Sequence, residues 1–309
     1  MIRFPNCKIN LGLRVTARRP DGFHNIETVF HPVPLCDILE IVPSSDRQMH
    51  FTATGLPIPG DPEKNLVVKA FRMLQEEFGI SGADIYLHKV IPMGSGLGGG
   101  SSDGAFTLSM LNDLFVLGLS QDQLILRAAR LGSDCPFFLL NRPVYATGKG
   151  EVFGSAAPSL AGKWLALAIP GVHVSTAEAY AMITPARPAE PLSAIVSLPV
   201  KEWRGRLVND FEGPVSTKFP VIGEIRDRMY RAGAIYSAMS GSGSAVFGIF
   251  DREPDAGRVR HSGDIGDLGR VMDPPLQSWE GQAYIRTMLL PDAIRHMFSG
   301  ISETDLRRT

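Results

Sequence analysis

The stretch PMGSGLGGGSSDG, Pro92 to Gly104, decides the fold, because six of its thirteen residues are glycine. Glycine adopts positive φ without steric cost and lets a ligand approach the backbone closely. The residues before it, Asp84 to Ile91, predict a strand, and the apolar run Ala105 to Leu117 predicts a helix after it. The order is therefore strand, glycine loop, helix.

A glycine loop directly before a helix predicts an anion site, since free backbone N–H groups and the helix dipole both favour negative charge there. Ser101 and Ser102 add hydroxyls that can bind phosphate or a magnesium ion. We predict that this loop binds the phosphates of ATP, and a flexible linker is the disfavoured alternative. The predicted ATP-binding residues are Pro92, Met93, Gly94, Ser95, Gly96, Leu97, Gly98, Gly99, Gly100, Ser101 and Ser102.

Two other types of nucleotide-binding loop are alternatives to this one. A P-loop needs GxxxxGK[ST], and no lysine follows the glycines here. Gly94, Gly96 and Gly99 do satisfy the GxGxxG pattern of dinucleotide-binding folds. The preceding DIYLHKVI alternates polar and apolar residues, whereas a central parallel strand is almost wholly apolar. An NAD-dependent dehydrogenase is therefore the less favoured interpretation.

Outward from the loop, alternating and helical patterns predict a mixed α/β chain. Short strands, expected to pair antiparallel, precede it, and a helix with Gly79 as its C-cap separates them from the loop strand. These elements are Ile2–Val15, His24–Val33, Asp37–Val42, Met49–Thr54 and the helix Asn65–Phe78. The later elements are the helices Gln121–Leu131 and Val221–Arg231 and the strands Trp164–Ile169, Ala234–Met239 and Ala245–Phe250.

Two stretches of the sequence predict irregular backbone structure. GSDCPFF, Gly132 to Phe138, is expected to be a break, and the tail after Asp251 is expected to be loop-like, with a short helix near Pro291 to Phe298. The segment Ala156 to Gly162 is rich in Ala, Pro, Ser and Gly and predicts a boundary between two domains, 1–158 and 159–309.

Composition excludes several classes of partner. The 309 residues carry 31 Lys and Arg against 32 Asp and Glu, so no global field attracts nucleic acid or a membrane surface. The N-terminus lacks the features of a signal peptide, and Cys7, Cys36 and Cys135 are odd in number and widely spaced. We therefore expect reduced thiols in a cytoplasmic protein. No zinc-ligand spacing occurs, so no protein-bound metal is predicted, and the sequence does not indicate an oligomeric state.

Three motifs together resemble the GHMP kinases, the family of galactokinase, homoserine kinase, mevalonate kinase and phosphomevalonate kinase. The glycine loop resembles the family's second motif, FPNCKINLGLRV (Phe4–Val15) its first, and MSGSGSAVFG (Met239–Gly248) its third. The resemblance implies an α+β fold of two domains with the active site in the cleft between them. It also implies a kinase that uses ATP with Mg²⁺ and an alcohol acceptor.

Within the family, KINLGL, RRPDGFH, GSDCPFF and NDFE resemble the branch whose small-molecule substrate carries a cytidine diphosphate group. The chain differs from that branch at Phe23, where tyrosine is frequent, and in SDCP, where ADVP is frequent. A homoserine or mevalonate type of kinase is the alternative, although such substrates have no base to stack. A catalytically silent nucleotide-binding regulator is disfavoured because Lys8 and Asp134 are both present.

The resemblance assigns roles that the residues alone leave open. By pattern, Lys8 is a surface charge on a strand that shares its face with Asn10, and Asp134 is a turn residue or a helix cap. The resemblance instead implies that Lys8 and Asp134 are catalytic, at the acceptor hydroxyl and the transferring phosphate. NDFE, Asn209 to Glu212, is expected to be either a polar helix start near the active site or a helix cap, and it is not among the predicted site residues.

The resemblance also implies a substrate site. Phe23 and Tyr180 would sandwich the cytosine ring, because flat bases gain free energy by stacking on aromatic faces. His24 would hydrogen-bond the base, Asn10 would contact the substrate together with Lys8, and Thr176 is the weaker substrate candidate.

Overall fold

The computed structural model describes residues 1–156, 158 and 160–254, and the backbone of residues 284–289. The strands are β1 Ile2–Arg3, β2 Asn6–Arg18, β3 His24–Cys36, β4 Ile38–Pro43, β5 His50–Gly55, β6 Ala83–Lys89, β7 Val144–Thr147, β8 Val152–Ser155, β9 Trp164–Ile169, β10 Tyr236–Met239, β11 Val246–Phe250 and β12 Tyr284–Leu289. The helices are α1 Leu66–Phe78, α2 Gly99–Leu114, α3 Gln121–Leu131, α4 Cys135–Leu140, α5 Thr176–Ala181, α6 Leu192–Val196, α7 Glu212–Lys218 and α8 Pro220–Arg231.

The helix before the loop forms as its sequence predicts. The Asn65 side chain accepts a hydrogen bond from the Val67 N–H, and Gly79 ends α1 in the left-handed region. The helix after the loop begins at Gly99, six residues before the predicted start at Ala105. The glycines wind into its first turn, where the Ser102 N–H donates to the Gly98 carbonyl at 2.9 Å.

The strands before residue 156 form two sheets. One has the order β2-β3-β7-β8 and is antiparallel throughout, with β2 and β3 as a long hairpin. The other has the order β1-β4-β6-β5. Its strand β5 pairs parallel with β6, so the expectation that all early strands pair antiparallel was wrong there. The cause is the helix α1 between them, because a helical crossover returns the chain in the same direction.

The third sheet has the order β10-β11-β9-β12. Its strand β12 pairs antiparallel with β9 over Tyr284–Leu289, so the tail is not loop-like along its whole length. The loop-like tail was expected because Gly and Asp dominate its first half. The helix expected near Pro291 to Phe298 lies outside the described residues, and the domain boundary at 158/159 stays a prediction.

The hydrophobic core joins the first hairpin to the third sheet. Ile9 and Leu11 of β2 are fully buried in one cluster with Leu165, Leu167 and Phe247 of β9 and β11. A second cluster lies between α1, α2 and the β1-β4-β6-β5 sheet. Packing of β2 against β9 and β11 holds the N-terminal strand beside both glycine segments, which positions the site described next.

Candidate active site

The glycine loop and the second glycine turn, Met239–Ala245, lie in direct contact. The Ala245 N–H donates to the Ser95 carbonyl at 2.9 Å. A Cβ on Gly96 would lie 2.1 Å from the Ser240 carbonyl oxygen, and one on Gly243 would lie 2.2 Å from the Gly96 nitrogen. Only glycine fits at these two positions, so the motifs that are far apart in sequence form one surface.

The NDFE segment holds the second glycine turn in place. The Asn209 amide donates to the carbonyls of Met239 and Gly241, both at 2.8 Å, and its oxygen accepts from the Phe211 N–H. The Glu212 carboxylate accepts from the Met239 N–H at 2.7 Å. Asn209 is buried, so its role extends beyond the helix cap that was expected. Sequence reasoning missed this support, although the motif itself was visible.

Lys8 reaches the glycine loop from β2. Its side chain is buried, and its ammonium donates to the Gly96 carbonyl at 2.9 Å and to the Asn10 side-chain oxygen at 2.5 Å. The Asp134 carboxylate lies 3.5 Å from the same nitrogen. Burial lowers the pKa of Lys8, and the nearby Asp134 offsets this only in part. A charge at this position is therefore screened little by solvent.

Asp134 begins α4, which covers part of the segment that was expected to be a break. It has the N-cap position, yet its side chain makes no capping hydrogen bond. The side chain is 30% exposed, so the carboxylate is partly open to solvent while it lies 3.5 Å from the Lys8 ammonium. Because the structural role of a cap is not used, the carboxylate is available to accept a hydrogen bond from a bound hydroxyl.

A cavity of about 420 Å³ lies beside the loop. One wall consists of the glycine loop and Thr176, and the other is the segment from Ile58 to Leu66 before α1. The predicted residues that line it are Pro92, Met93, Gly94, Ser95, Gly96, Gly98, Gly99, Gly100 and Ser101. Leu97 and Ser102 are buried and do not line it. Sequence reasoning missed the second wall, whose sole signal was the chain break PIPGDP.

The substrate candidates other than Thr176 do not line this cavity. Asn10 is buried and donates to the Thr28 hydroxyl at 2.9 Å, which fixes its amide. The ring of His24, rather than that of Phe23, stacks on Tyr180, with centroids 4.8 Å apart and planes 20° apart. Phe23 is 58% exposed, and the Lys149 ammonium lies 4.7 Å above its ring. The pairing of Phe23 with Tyr180 around a base stays a prediction.

Thr176 is the first residue of α5 and accepts a hydrogen bond from the Ser242 hydroxyl at 3.2 Å. It therefore touches the second glycine turn and lines the nucleotide-sized cavity. Burial raises the pKa of Tyr180 to about 12, so its hydroxyl stays neutral at physiological pH.

Other kinds of site are not visible in the described part of the chain. Among residues 1–254 as described, no three His, Cys, Asp or Glu side chains gather as a metal-binding group. The three cysteines are free thiols. No helix within the described ranges is long and apolar enough to cross a membrane.

Comparison with protein families gives two matches. The model of the GHMP kinases N terminal domain matches residues 65–142, and that of the GHMP kinases C terminal domain matches residues 199–272. These ranges contain the glycine loop and the second glycine turn, respectively.

Among curated proteins, the chain is similar to 4-diphosphocytidyl-2-C-methyl-D-erythritol kinases. It is 53% identical to that of Parabacteroides distasonis over 82% of this chain and 92% of the relative. It is 48% identical to that of Cytophaga hutchinsonii over 82% of this chain and 94% of the relative.

Among solved structures, the chain superposes on a 4-(cytidine 5'-diphospho)-2C-methyl-D-erythritol kinase with a TM-score of 0.71 and 34% identity, over 93% of this chain and 98% of that one. Mevalonate kinase of Methanococcus jannaschii gives a TM-score of 0.61 at 13% identity, over 81% of this chain and 90% of that one, which shows a shared fold alone.

Proposed function

The chain belongs to the GHMP kinase family, in the branch of the curated 4-diphosphocytidyl-2-C-methyl-D-erythritol kinases, and from this premise we propose its chemistry. It is an ATP-dependent kinase that phosphorylates the 2-hydroxyl of 4-(cytidine 5'-diphospho)-2-C-methyl-D-erythritol in the non-mevalonate isoprenoid pathway. The observation that carries this is 53% identity along 92% of a curated relative. The α+β GHMP fold and this branch, predicted from the motifs, are confirmed, and the homoserine, mevalonate and dehydrogenase alternatives are not favoured.

In the proposed mechanism, Lys8 and Asp134 act on the same hydroxyl. Asp134 accepts a hydrogen bond from the acceptor hydroxyl, orients its oxygen for attack and takes its proton as the bond to phosphorus forms. Lys8 donates to the transferring phosphate and stabilises the charge that develops there. Its 3.5 Å separation from Asp134 supports this arrangement, since one substrate oxygen can contact both side chains.

The glycine loop is proposed to hold the triphosphate. Gly98, Gly99, Gly100 and Ser101 at the start of α2 line the cavity, and the free N–H groups of a helix N-terminus favour phosphate oxygens. This proposal covers the loop residues from Pro92 to Ser102 that the sequence predicted. Kinases of this family use ATP, which fits the cavity of about 420 Å³.

Magnesium remains a prediction, and the residues present fit it. Ser101 lines the cavity, and the Ser102 hydroxyl is buried with no hydrogen-bond partner among the described residues. Mg²⁺ bound with a nucleotide needs only one or two protein oxygens, because phosphates and waters complete its shell. The Ser101 hydroxyl, which lines the cavity, would hold the ion, which when bound neutralises phosphate charge.

The cytidine end of the substrate is proposed to bind between Phe23 and Tyr180, with His24 hydrogen-bonded to the base. Asn10 is proposed to contact the substrate together with Lys8, and Thr176, which lines the cavity beside the glycine loop, is the weaker substrate candidate. The stacked rings of His24 and Tyr180 support an aromatic site here, because a base can insert beside rings that already stack. We also propose the boundary at 158/159, a cytoplasmic location and no nucleic-acid partner, on composition alone.

The test is an assay of ADP release from purified protein with one acceptor at a time. Release is expected with the cytidine-linked erythritol and not with homoserine or mevalonate. Binding of NADH, measured alongside, is expected to be undetectable. Release with homoserine or mevalonate alone would assign the chain to another kinase of the family.

A further inference from the structure

Three buried ionisable residues, Lys89, Asp37 and Asp103, lie beneath the start of α2, and of these only Asp103 also lines the cavity. The Lys89 ammonium donates to Oδ2 of Asp37 and, at 2.8 Å, to Oδ2 of Asp103. Lys89, Asp37 and Asp103 are 1%, 0% and 2% exposed. We call these residues the buried triad. They come from the end of β6, the junction of β3 and β4, and the second turn of α2.

The triad is joined to both ends of the loop. Oδ1 of Asp37 accepts from the N–H groups of Val90 and Ile91 at 2.6 and 2.8 Å, where the chain leaves β6 and enters the loop. At the other end, a Cβ on Gly99 would lie 3.1 Å from the Lys89 nitrogen. The ammonium therefore lies against the first turn of α2, whose residues Gly99, Gly100 and Ser101 line the cavity.

Stability alone does not account for three ionisable side chains at this depth. Removing charged groups from water costs several kcal/mol for each ion, and apolar residues of similar volume often hold a fold at least as well. Moreover, Oδ1 of Asp103 is buried without a hydrogen-bond partner among the described residues, and Asp103 lines the cavity. The hydrogen bonds among these three side chains have a preferred geometry, which fixes the direction of the groups they join. Apolar side chains do not provide such a direction.

We propose that the buried triad is a positioning device for the triphosphate: it fixes the direction of the loop's N–H groups by anchoring the loop entry through Asp37 and α2 through Asp103. Its residues act through the backbone and do not touch the reacting atoms, so they are positioning residues. This rests on the proposed function, in which the loop binds the phosphates of ATP. A small misplacement of such donors is expected to weaken phosphate binding while leaving the cytidine site unchanged.

The test compares two ligands in the full chain. Asp103→Asn keeps the shape of the side chain and an oxygen that can accept from Lys89, but replaces the carboxyl group with an amide. For this variant we expect the Kd of a non-hydrolysable ATP analogue, measured by calorimetry well below the melting temperature, to rise about tenfold or more. The Kd of cytidine diphosphate is expected to stay within about twofold. Asp113→Asn is the matched control, because Asp113 pairs with Arg3 at the exposed end of the same helix.

The outcomes separate the two levels of the proposal. A parent protein that does not bind the ATP analogue overturns the proposed function itself. A folded Asp103→Asn variant that binds the analogue like the parent, or that loses both ligands equally, overturns only the triad's role. Asp37→Asn is read by the same criterion if Asp103→Asn does not fold. Failure of both variants to fold would assign the triad to stability alone and overturn the proposal.

Discussion

Two buried lysines contact the same glycine loop from different strands, and their environments shift the pKa of the ammonium in opposite directions. Burial lowers the pKa of Lys8. Its single carboxylate partner, Asp134, offsets this only in part, because it is 3.5 Å away and partly exposed. Burial acts on Lys89 in the same direction, but the two carboxylates of Asp103 and Asp37 outweigh it and raise its pKa. Lys8 is thus loosely paired with Asp134, whereas Lys89 is tightly paired with Asp37 and Asp103.

The difference indicates which pair can react. The Asp134 side chain is 30% exposed, whereas that of Asp103 is 3% exposed. A group that takes part in chemistry needs a free hydrogen-bonding direction, and a group that positions a loop needs none. The predictions below test that distinction, beginning with the largest expected effect.

Replacing the exposed carboxylate should affect the chemical step most. Asp134→Asn is expected to bind both substrates and to lower kcat about a hundredfold or more, the usual loss for a positioned acid–base group. Steady-state kinetics and ligand calorimetry check this together. A folded variant with near-parental kcat would return Asp134 to the role of a turn residue.

The double variant tests whether the reactive pair acts as one unit. Lys8→Ala is expected to lower kcat as well, since the phosphate would lose its charged donor. Because both side chains contact the same hydroxyl and phosphate, the double variant should lose much less than the product of the single losses. Fully multiplicative losses would contradict a shared site.

Two glycines of the loop provide a matched pair. Gly98 has φ +73°, and a Cβ there would lie 3.0 Å from the Phe138 ring and 3.2 Å from Cε of Lys8. Gly100 would place its Cβ 3.5 Å from Met93, an ordinary contact. Gly98→Ala is therefore expected to reduce kcat/KM for ATP about tenfold or more, and Gly100→Ala by less than about threefold.

Kinetics of the two glycine variants, with circular dichroism to confirm folding, check this expectation. Equal losses would show that the loop tolerates or rejects any side chain regardless of backbone conformation. Gly99 is a poorer test, because a Cβ there would meet Ile91 and Lys89 and so disturb the buried triad as well.

The aromatic residues proposed to hold the cytosine should affect only the binding of the cytidine substrate. Tyr180→Ala and Phe23→Ala are each expected to raise KM for the cytidine substrate by the loss of one stacked face, about 1 to 3 kcal/mol, with the Kd of ATP unchanged. Phe23→Tyr is the conservative control and should be tolerated. An equal loss with an acceptor that lacks cytosine would make these rings packing elements instead of a base clamp.

The smallest expected effect is in pH dependence. Lys8 must be protonated to stabilise the phosphate, and its pKa is lowered, so kcat should fall with rising pH at a pH below that of an ordinary lysine. Lys89 has a raised pKa and should not titrate in the same range. Lys8→Arg should move the alkaline limb of the rate profile upward by keeping the charge. A limb that does not move would assign it to another group.

The features predicted from sequence share one property: their evidence is local. The glycine loop, the capped helix α1 and the strand Trp164–Ile169 can each be read from neighbouring residues. The roles of Lys8 and Asp134 were predicted only from the family motifs. By themselves, a lysine on a strand and an aspartate two residues before a proline have ordinary structural roles. Their role in catalysis is still a prediction.

The features that were missed depend on contacts between distant residues. Lys89 and Asp37 are 52 positions apart, and neither lies in a motif that stood out. A signal was present, because period-two alternation puts Lys89 on the buried face of β6 with Ile85 and Leu87. The parallel pairing of β5 could not be read locally either, since strand direction follows from the path of the chain through α1.

The strand β12 has a consequence for truncated forms of the chain. It pairs along the whole of β9, whose sequence WLALAI is almost entirely apolar, and it thereby covers one edge of that strand. A proteolytic cut or an early stop codon after Phe250 would leave this edge with unpaired backbone groups. Exposed apolar edges invite pairing with other chains, so such a product should self-associate and precipitate even though every residue of the proposed active site is intact.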